Sequence, residues 1–367
     1  MYRLAVSTFA VFVLVSTFAI STDAIAKKGG NGNGGGGGGD SGSNCVADAL
    51  FPALIYQVGS GAGDGTDDIV LASSDGCKQL TVEHAVQLGG VRLKYDPATD
   101  SGYYAWSEDI FPGYPPGSIK RQSFTIAAGN LIRSTAEPET IYQGTGYLAR
   151  FDIQGDSLAV DDAVSAGSDE YQILVVDQLS LCTAVCDASD ADSVYSPSNC
   201  VPDPATLACF DVNLASRVSI SPGESEIYFD VSGGIAHVTK GQSGWQSPRL
   251  YMSDDNYREP RVYGFDATGA YLAIGYLADL QQIRDDRVII FDPALTGSGC
   301  PCEAAGLSQD FAAWNATWTV DNTLYVVGTA GKGHHLSFPI GEFDPSTGVR
   351  ESLGISLGAH PIIDSSL

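Results

Sequence analysis

Basic residues are scarce in this chain: 19 Lys and Arg stand against 44 Asp and Glu, a formal net charge of -25. Binding a nucleic-acid backbone needs clustered Lys and Arg, so nucleic acid is excluded as a partner. Histidine is limited to His84, His237, His334, His335 and His360, which leaves few imidazoles for chemistry near neutral pH. No Gly-x-Ser-x-Gly elbow occurs, which argues against serine hydrolase chemistry. No Cys-x-x-Cys knuckle occurs either. Long stretches of 3.6-residue periodicity are few, with only Ala278 to Arg284 reading as a short helix. What remains is a chain of short apolar runs punctuated by turn residues, the pattern of an all-β protein.

The N-terminus reads as an export signal. Met1-Tyr2-Arg3 precedes an apolar run from Leu4 to Ile20, and Ala24-Ile25-Ala26 supplies a small-x-small cleavage site. The run approaches the length of a membrane span, which is the competing reading. Ser and Thr interrupt it, so cleavage after Ala26 is expected, giving a soluble mature chain with no membrane span. No Cys follows the run to carry a lipid anchor. Residues 27–44 are nearly all Gly, Asn and Ser, a composition that buries nothing and acts as a flexible linker. Residues 45–367 are then the folded domain, expected to be a monomer. Its acidity serves solubility first, and affinity for cations or basic surfaces second.

Eight cysteines in an exported chain point to disulfides. They fall in three groups: Cys45 and Cys77; Cys182, Cys186, Cys200 and Cys209; Cys300 and Cys302. Eight cysteines allow 105 connectivities, and proximity along the chain favours pairing within groups. Zinc in the second group is the alternative, weakened by the absence of a nearby His.

An internal repeat carries the fold assignment. Phe151-Asp152-Ile153-Gln154-Gly155-Asp156-Ser157-Leu158-Ala159-Val160 matches Phe265-Asp266-Ala267-Thr268-Gly269-Ala270-Tyr271-Leu272-Ala273-Ile274, each a turn between two strands. Weaker copies begin at Tyr95, Ile220 and Trp318. An apolar strand closed by Asp recurs downstream: Asp177 lies 26 residues after Phe151, and Asp292 lies 27 after Phe265. The copies are spaced by about 45 to 70 residues, and a four-stranded propeller blade occupies roughly 40 to 50 plus insertions. Five copies and an opening segment from Pro52 to Thr81 predict a β-propeller of six blades, with seven as the alternative. A β-sandwich or two stacked β domains fit less well, because a closed ring protects the edges of so many short strands.

Ile69-Val70-Leu71-Ala72-Ser73-Ser74-Asp75-Gly76-Cys77-Lys78-Gln79-Leu80-Thr81 resembles the repeat of TolB-type propellers, in which a strand leads to Asp-Gly and then Leu-Thr. Pro260-Arg261-Val262-Tyr263-Gly264-Phe265 is similar to the Pro-x-aromatic opening of that repeat, and Ser221-Pro222-Gly223 keeps part of its turn. The resemblance spans most of Pro52 to Gly348 in degenerate form. It implies a six-bladed ring in the cell envelope or outside it, a platform for protein binding. The α/β domain that precedes the propeller in TolB is absent, so the role of that protein does not carry over.

Several residues are candidates for chemistry. His334 and His335, beside Gly331-Lys332-Gly333, could present a ligand or metal site, although adjacent strand residues face opposite ways. Arg258 and Arg261, near Ser253-Asp254-Asp255, could line a pocket or form a surface charge cluster. Asp187, Asp190 and Asp192 offer oxygen ligands for calcium, the one cofactor the sequence leaves open, against the plainer reading of a polar loop. Asp64-Gly65-Thr66-Asp67-Asp68 admits the same two readings. Asn315-Ala316-Thr317 is a glycosylation sequon, and Trp314 and Trp318 read as blade core. The expected function is a periplasmic or secreted binding module for protein or carbohydrate, with loops at one mouth of the ring as its surface. The alternatives are a polysaccharide lyase or hydrolase with its site at the channel mouth, and a purely structural envelope protein.

Overall fold

Runs of β-branched and aromatic residues between Gly-, Asp- and Ser-containing turns fold here as antiparallel strands. The computed structural model describes residues 53–59, 67–73, 78–86, 88–108, 116–146, 148–168, 170–202, 209–210, 217–232, 234–253, 258–269, 272–277, 286–291, 312–318, 324–332, 335–343, 350–357 and 363–365. All belong to one unit, 45–367. Among the described residues there is no α-helix, and no helix long and apolar enough to cross a membrane. The short helix expected over Ala278 to Arg284 lies outside the described residues.

The sheets follow one another along the chain. The first takes β1 (Ala53–Gly59), β2 (Asp67–Ser73) and β3 (Gln79–Val86). The second runs from β4 (Leu88–Asp96) through β5 (Ser101–Glu108) and β6 (Ser118–Ala127) to β8 (Glu139–Gln143), with β7 (Asn130–Arg133) paired to β6. The third holds β9 (Leu148–Gln154), β10 (Ser157–Ala163), β11 (Tyr171–Val176) and β13 (Asp192–Tyr195), while β12 (Cys186–Asp187) crosses back to pair in parallel with β8. A two-stranded hairpin, β14 (Val201–Pro202) and β15 (Cys209–Phe210), comes next. The fourth sheet has β16 (Val218–Ile220), β17 (Glu226–Val231) and β18 (Gly234–Gly241), with β19 (Gly244–Trp245) and β20 (Arg249–Ser253) both on β18. The fifth has β21 (Arg258–Phe265), β22 (Leu272–Leu277) and β23 (Asp286–Phe291), and the sixth has β24 (Ala312–Trp318), β25 (Leu324–Lys332), β26 (His335–Phe343) and β27 (Arg350–Leu357). The last strand, β28 (Ile363–Ser365), pairs with β1, so the C-terminus completes the first sheet.

One edge strand of each sheet meets its counterparts in order. β4 touches β9, β9 touches β16, β16 touches β21, β21 touches β24, β24 touches β28, and β28 returns to β4. This all-β arrangement of successive antiparallel sheets is consistent with a β-propeller.

Burial shows how the sheets stack. The second strands β10 and β17 are buried almost without interruption, because both of their faces are covered. Alternate residues serve alternate interfaces, as the two-residue strand period requires. In β10, Leu158 and Val160 join a core with Phe151 of the same sheet and Ala105 and Tyr142 of the preceding one. Ala159 turns the other way, toward Val218, Ile220 and Phe229 of the fourth sheet. In β17, Ile227 and Phe229 face back, while Tyr228 faces forward to Val262 and Phe265. Outer β6 instead alternates buried and exposed residues, as expected where one face meets water.

Buried carboxylates fasten sheet to sheet. Asp162 of β10 accepts the Tyr142 hydroxyl at 3.0 Å and the backbone N–H groups of Thr145 at 2.9 Å and Gly146 at 3.3 Å. Asp230 of β17 accepts the N–H of Val262 in the fifth sheet at 2.6 Å. Backbone donors left unpaired at these junctions would cost about 1–3 kcal/mol each.

The repeat is reproduced in its second strand and slips in its first. Leu158 stands opposite Ile153, whereas Leu272 stands opposite Phe265. Ile153, not Phe151, is therefore the structural partner of Phe265. The difference is the turn: Gly155-Asp156 closes the β9–β10 hairpin tightly, while β21 ends at Phe265 and β22 begins only at Leu272.

Candidate functional site

Five of the edge strands end around one cavity of about 500 Å³. β4 supplies Arg92 and Lys94, β9 supplies Asp152 and Gln154, β16 supplies Ser219 and Ile220, β21 supplies Tyr263 and Phe265, and β24 supplies Thr317 and Trp318. Arg92 and Lys94 are two residues apart on one strand and so share a face. Asp266 and Pro222 line it from the turns that leave β21 and β16.

The polar groups are held in place. Arg92 donates from Nε to Asp152 Oδ1 at 2.9 Å and from Nη1 to the Val91 carbonyl at 2.9 Å, and its guanidinium lies 5.7 Å from the Phe151 ring centre. The other Asp152 oxygen accepts the N–H of Ile220 at 2.8 Å. Arg92 and Asp152 are thus a largely buried ion pair, with both carboxylate oxygens hydrogen-bonded, that links three sheets. Lys94 Nζ donates to Gln154 Oε1 at 3.0 Å. Asp266 is turned onto its own loop, where Oδ2 accepts the Thr268 hydroxyl at 2.5 Å.

The aromatic wall depends on a local irregularity. The pairing of β21 with β22 shifts between Val262 and Gly264, so Tyr263 is an extra, bulged residue. Gly264 has φ +133°, a conformation L side chains rarely adopt. A bulge of this kind re-aims a side chain, and here it brings Tyr263 into the cavity. Gly275 across the pair leaves room for the ring, since a Cβ there would collide with Tyr263. The third sheet carries Asp161 at the equivalent position of its second strand and the fourth carries Asp230. The Arg217 guanidinium covers the Tyr263 ring at 4.5 Å.

Of the residues singled out from the sequence, those that are described lie in the wall of this site, beside it or elsewhere. Arg261 is in β21, two residues before Tyr263, and its charge favours the ionised form of Asp230. Arg258 and His335 begin β21 and β26, where only the strand backbone is described. His334, Cys45, Cys77, Cys300 and Cys302 lie outside the described residues, as do Asp64 to Thr66, and of Trp314 only its place in strand β24 is described. Asp67 and Asp68 open β2. Asp67 accepts from Gln57 Nε2, and Asp68 is 3.5 Å from His84 Nδ1. Trp318 is buried in the cavity wall.

Disulfides join Cys182 to Cys186 and Cys200 to Cys209. Asp187, Asp190 and Asp192 are exposed on the strand pair and turn that follow the first of these. Asp190 Oδ2 accepts the Asp187 N–H at 3.1 Å, and Asp187 Oδ1 accepts the Ser189 N–H at 2.7 Å. The Ser189 hydroxyl, and after it this Ser189 N–H, hold the Asp187 carboxyl below the usual range. Among the described residues the three carboxylates do not gather around one point. Asp190 groups instead with the sulfurs of Cys182 and Cys186.

Arg92, Lys94, Asp152, Gln154 and Tyr263 did not stand out in the sequence. The basic pair alternating in Val91-Arg92-Leu93-Lys94 was the available signal, because a strand with apolar residues on one face and cations on the other has a purpose for both.

No protein-family model matches the sequence, and no curated protein does. Solved structures similar in fold include a 6-phosphogluconolactonase candidate from Bacteroides fragilis, at 12% identity and TM-score 0.48, covering 87% of this chain and 99% of that one. A TolB candidate from Agrobacterium tumefaciens matches at 10% identity and TM-score 0.48, over 86% and 98% of the two chains. A hypothetical selenium-binding protein from Sulfolobus tokodaii matches at 10% identity and TM-score 0.46, over 86% and 92%. Likenesses this remote carry no functional argument.

Proposed function

We propose that the chain is an exported, six-bladed, TolB-like propeller that binds a carbohydrate in the cavity where its inner strands end. Residues 1–26 are the leader and 27–44 the linker in this reading. The cyclic order of contacts from β4 to β28 supports six blades, with β28 and β1 joining the chain ends. Two disulfides favour an oxidising compartment.

The observation that carries the functional reading is the pairing, in one cavity, of aromatic rings with fixed charged and amide groups. Tyr263, Phe265 and Trp318 form the aromatic wall, Tyr263 being the least buried of the three, and Arg92, Lys94, Asp152 and Gln154 offer hydrogen-bonding groups held by their neighbours. Pockets of roughly 300–1,000 Å³ suit small ligands, whereas protein partners occupy broader surfaces. Both oxygens of Asp152 are hydrogen-bonded, which favours binding over proton transfer by that group.

Calorimetric titration of the mature chain, beginning at residue 27, with a panel of mono- and disaccharides tests the proposal. Saturable binding that Tyr263→Ala weakens is the expected result. A folded, oxidised protein that binds no sugar in the panel would overturn it.

A further inference from the structure

Two cations reach the cavity from β4, and they are treated differently. Arg92 is paired with Asp152. Lys94 contacts only the neutral oxygen of Gln154, and no carboxylate lies within ion-pair distance of its ammonium among the described residues. An ammonium has three protons to donate, so one contact leaves it under-used. Gln154, with its oxygen turned to Lys94, must turn its amide NH2 away, and that group has no partner among the described residues. The pair therefore presents ammonium and amide donors side by side. A side-by-side donor pair is the complement of an oxyanion, and hydrogen bonds from a charged donor to an anion are about twice as strong as neutral ones.

Of the other charges here, Asp152 is neutralised by Arg92 and Asp266 is held by Thr268 in its own turn. Asp266 disfavours an anion at the end of β21, which places the anion at β4 and β9. Lys94 is half-buried and keeps donors to spare for an anionic group.

We propose that the ligand is a sugar bearing an acid group, received by Lys94 Nζ and Gln154 Nε2 while the sugar ring lies toward Tyr263 and Trp318. This rests on the carbohydrate reading and assigns its ligand class. Carboxylate and phosphate share the required chemistry, and separate probes distinguish them.

The mature chain is titrated with glucose, glucuronate and glucose 6-phosphate. An acid sugar should bind at least about tenfold more tightly than glucose, with the tighter of the two identifying the acid group. Lys94→Gln should abolish the difference between acid and neutral sugars, and Lys94→Arg should retain part of it. Gln154→Glu, which gives Lys94 an internal counter-ion, should also abolish it and serves if Lys94→Gln does not fold. Glucose binding with no preference for either acid sugar would overturn this inference and leave the carbohydrate reading standing. Absence of binding to every sugar would overturn both.

Discussion

The backbone N–H of Val262 donates to Asp230 Oδ1 at 2.6 Å, across the junction between the fourth and fifth sheets. The second oxygen of Asp230 accepts the N–H of Arg217 at 3.1 Å. Burial nonetheless pushes the Asp230 carboxyl up to about 6, against the opposing charges of Arg217 and Arg261 and these two N–H groups. On the neighbouring strand β18, burial and the Arg249 charge push His237 down to about 4.

These two groups make stability depend on pH in opposite directions. Asp230, raised above its unfolded value, takes up a proton more readily in the folded state, so its contribution falls as pH rises from about 4 to about 6. That change is on the order of 2–3 kcal/mol at ~1.36 kcal/mol per pKa unit. His237, lowered below its unfolded value, stays neutral in the fold, so its contribution falls as pH drops from 6.5 to about 4. The two effects are of similar order and oppose each other over this range. Urea unfolding from pH 4 to 7 should show a partly cancelled slope in the wild type. Asp230→Asn should lose stability on acidification relative to the wild type, and His237→Gln should gain it. Parallel curves for all three proteins would refute this account.

The Arg92–Asp152 pair should be strongly coupled. Removing either partner leaves the other charge largely buried, so Arg92→Ala or Asp152→Ala should each cost about 3 kcal/mol. Asp152→Ala also strands the Ile220 N–H. The double variant should cost clearly less than the sum, giving a coupling of about 1–3 kcal/mol in a denaturation cycle. Additive losses would show that the pair does not act as a unit.

Gly275→Ala should act on the cavity rather than on the core. The added methyl would meet the Tyr263 ring, which must swing away from its place under Arg217. Sugar binding should weaken by about tenfold, with stability lowered by about 1–2 kcal/mol from overpacking. A stability loss with unchanged binding would place Tyr263 outside the ligand contacts.

The two disulfides close short loops, with sequence separations of 4 and 9. Chain-entropy arguments then give about 2 kcal/mol for Cys182–Cys186 and slightly more for Cys200–Cys209. Replacing Cys182 and Cys186 together by Ala should lower the unfolding midpoint modestly while preserving the cooperative transition. Loss of folding would mean that the crossing strand β12, which pairs with β8, depends on this bond.

Part of this was legible along the chain. Leu158-Ala159-Val160 and Leu272-Ala273-Ile274 announce strands, because β-branched and aliphatic residues between turns have one favourable conformation. The second cysteine group pairs between neighbours, as short loops favour. The slip in the first strand of the repeat was hidden, since identical residues on either side of a turn do not reveal how many of them the turn consumes.

The sequence by itself determined the all-β class, the repeat, the acidic charge and the oxidising chemistry of its cysteines, because these follow from composition and from spacings of two to about seventy residues. Only the tertiary structure decided where a ligand could sit. Lys94 and Gln154 are 60 residues apart and meet because edge strands of successive sheets converge. Tyr263 reaches the cavity because Gly264 permits a bulge and Gly275, on another strand, yields the space. Each of these depends on side chains whose partners come from different sheets. No local pattern records such a partnership, because it exists only once the sheets have packed.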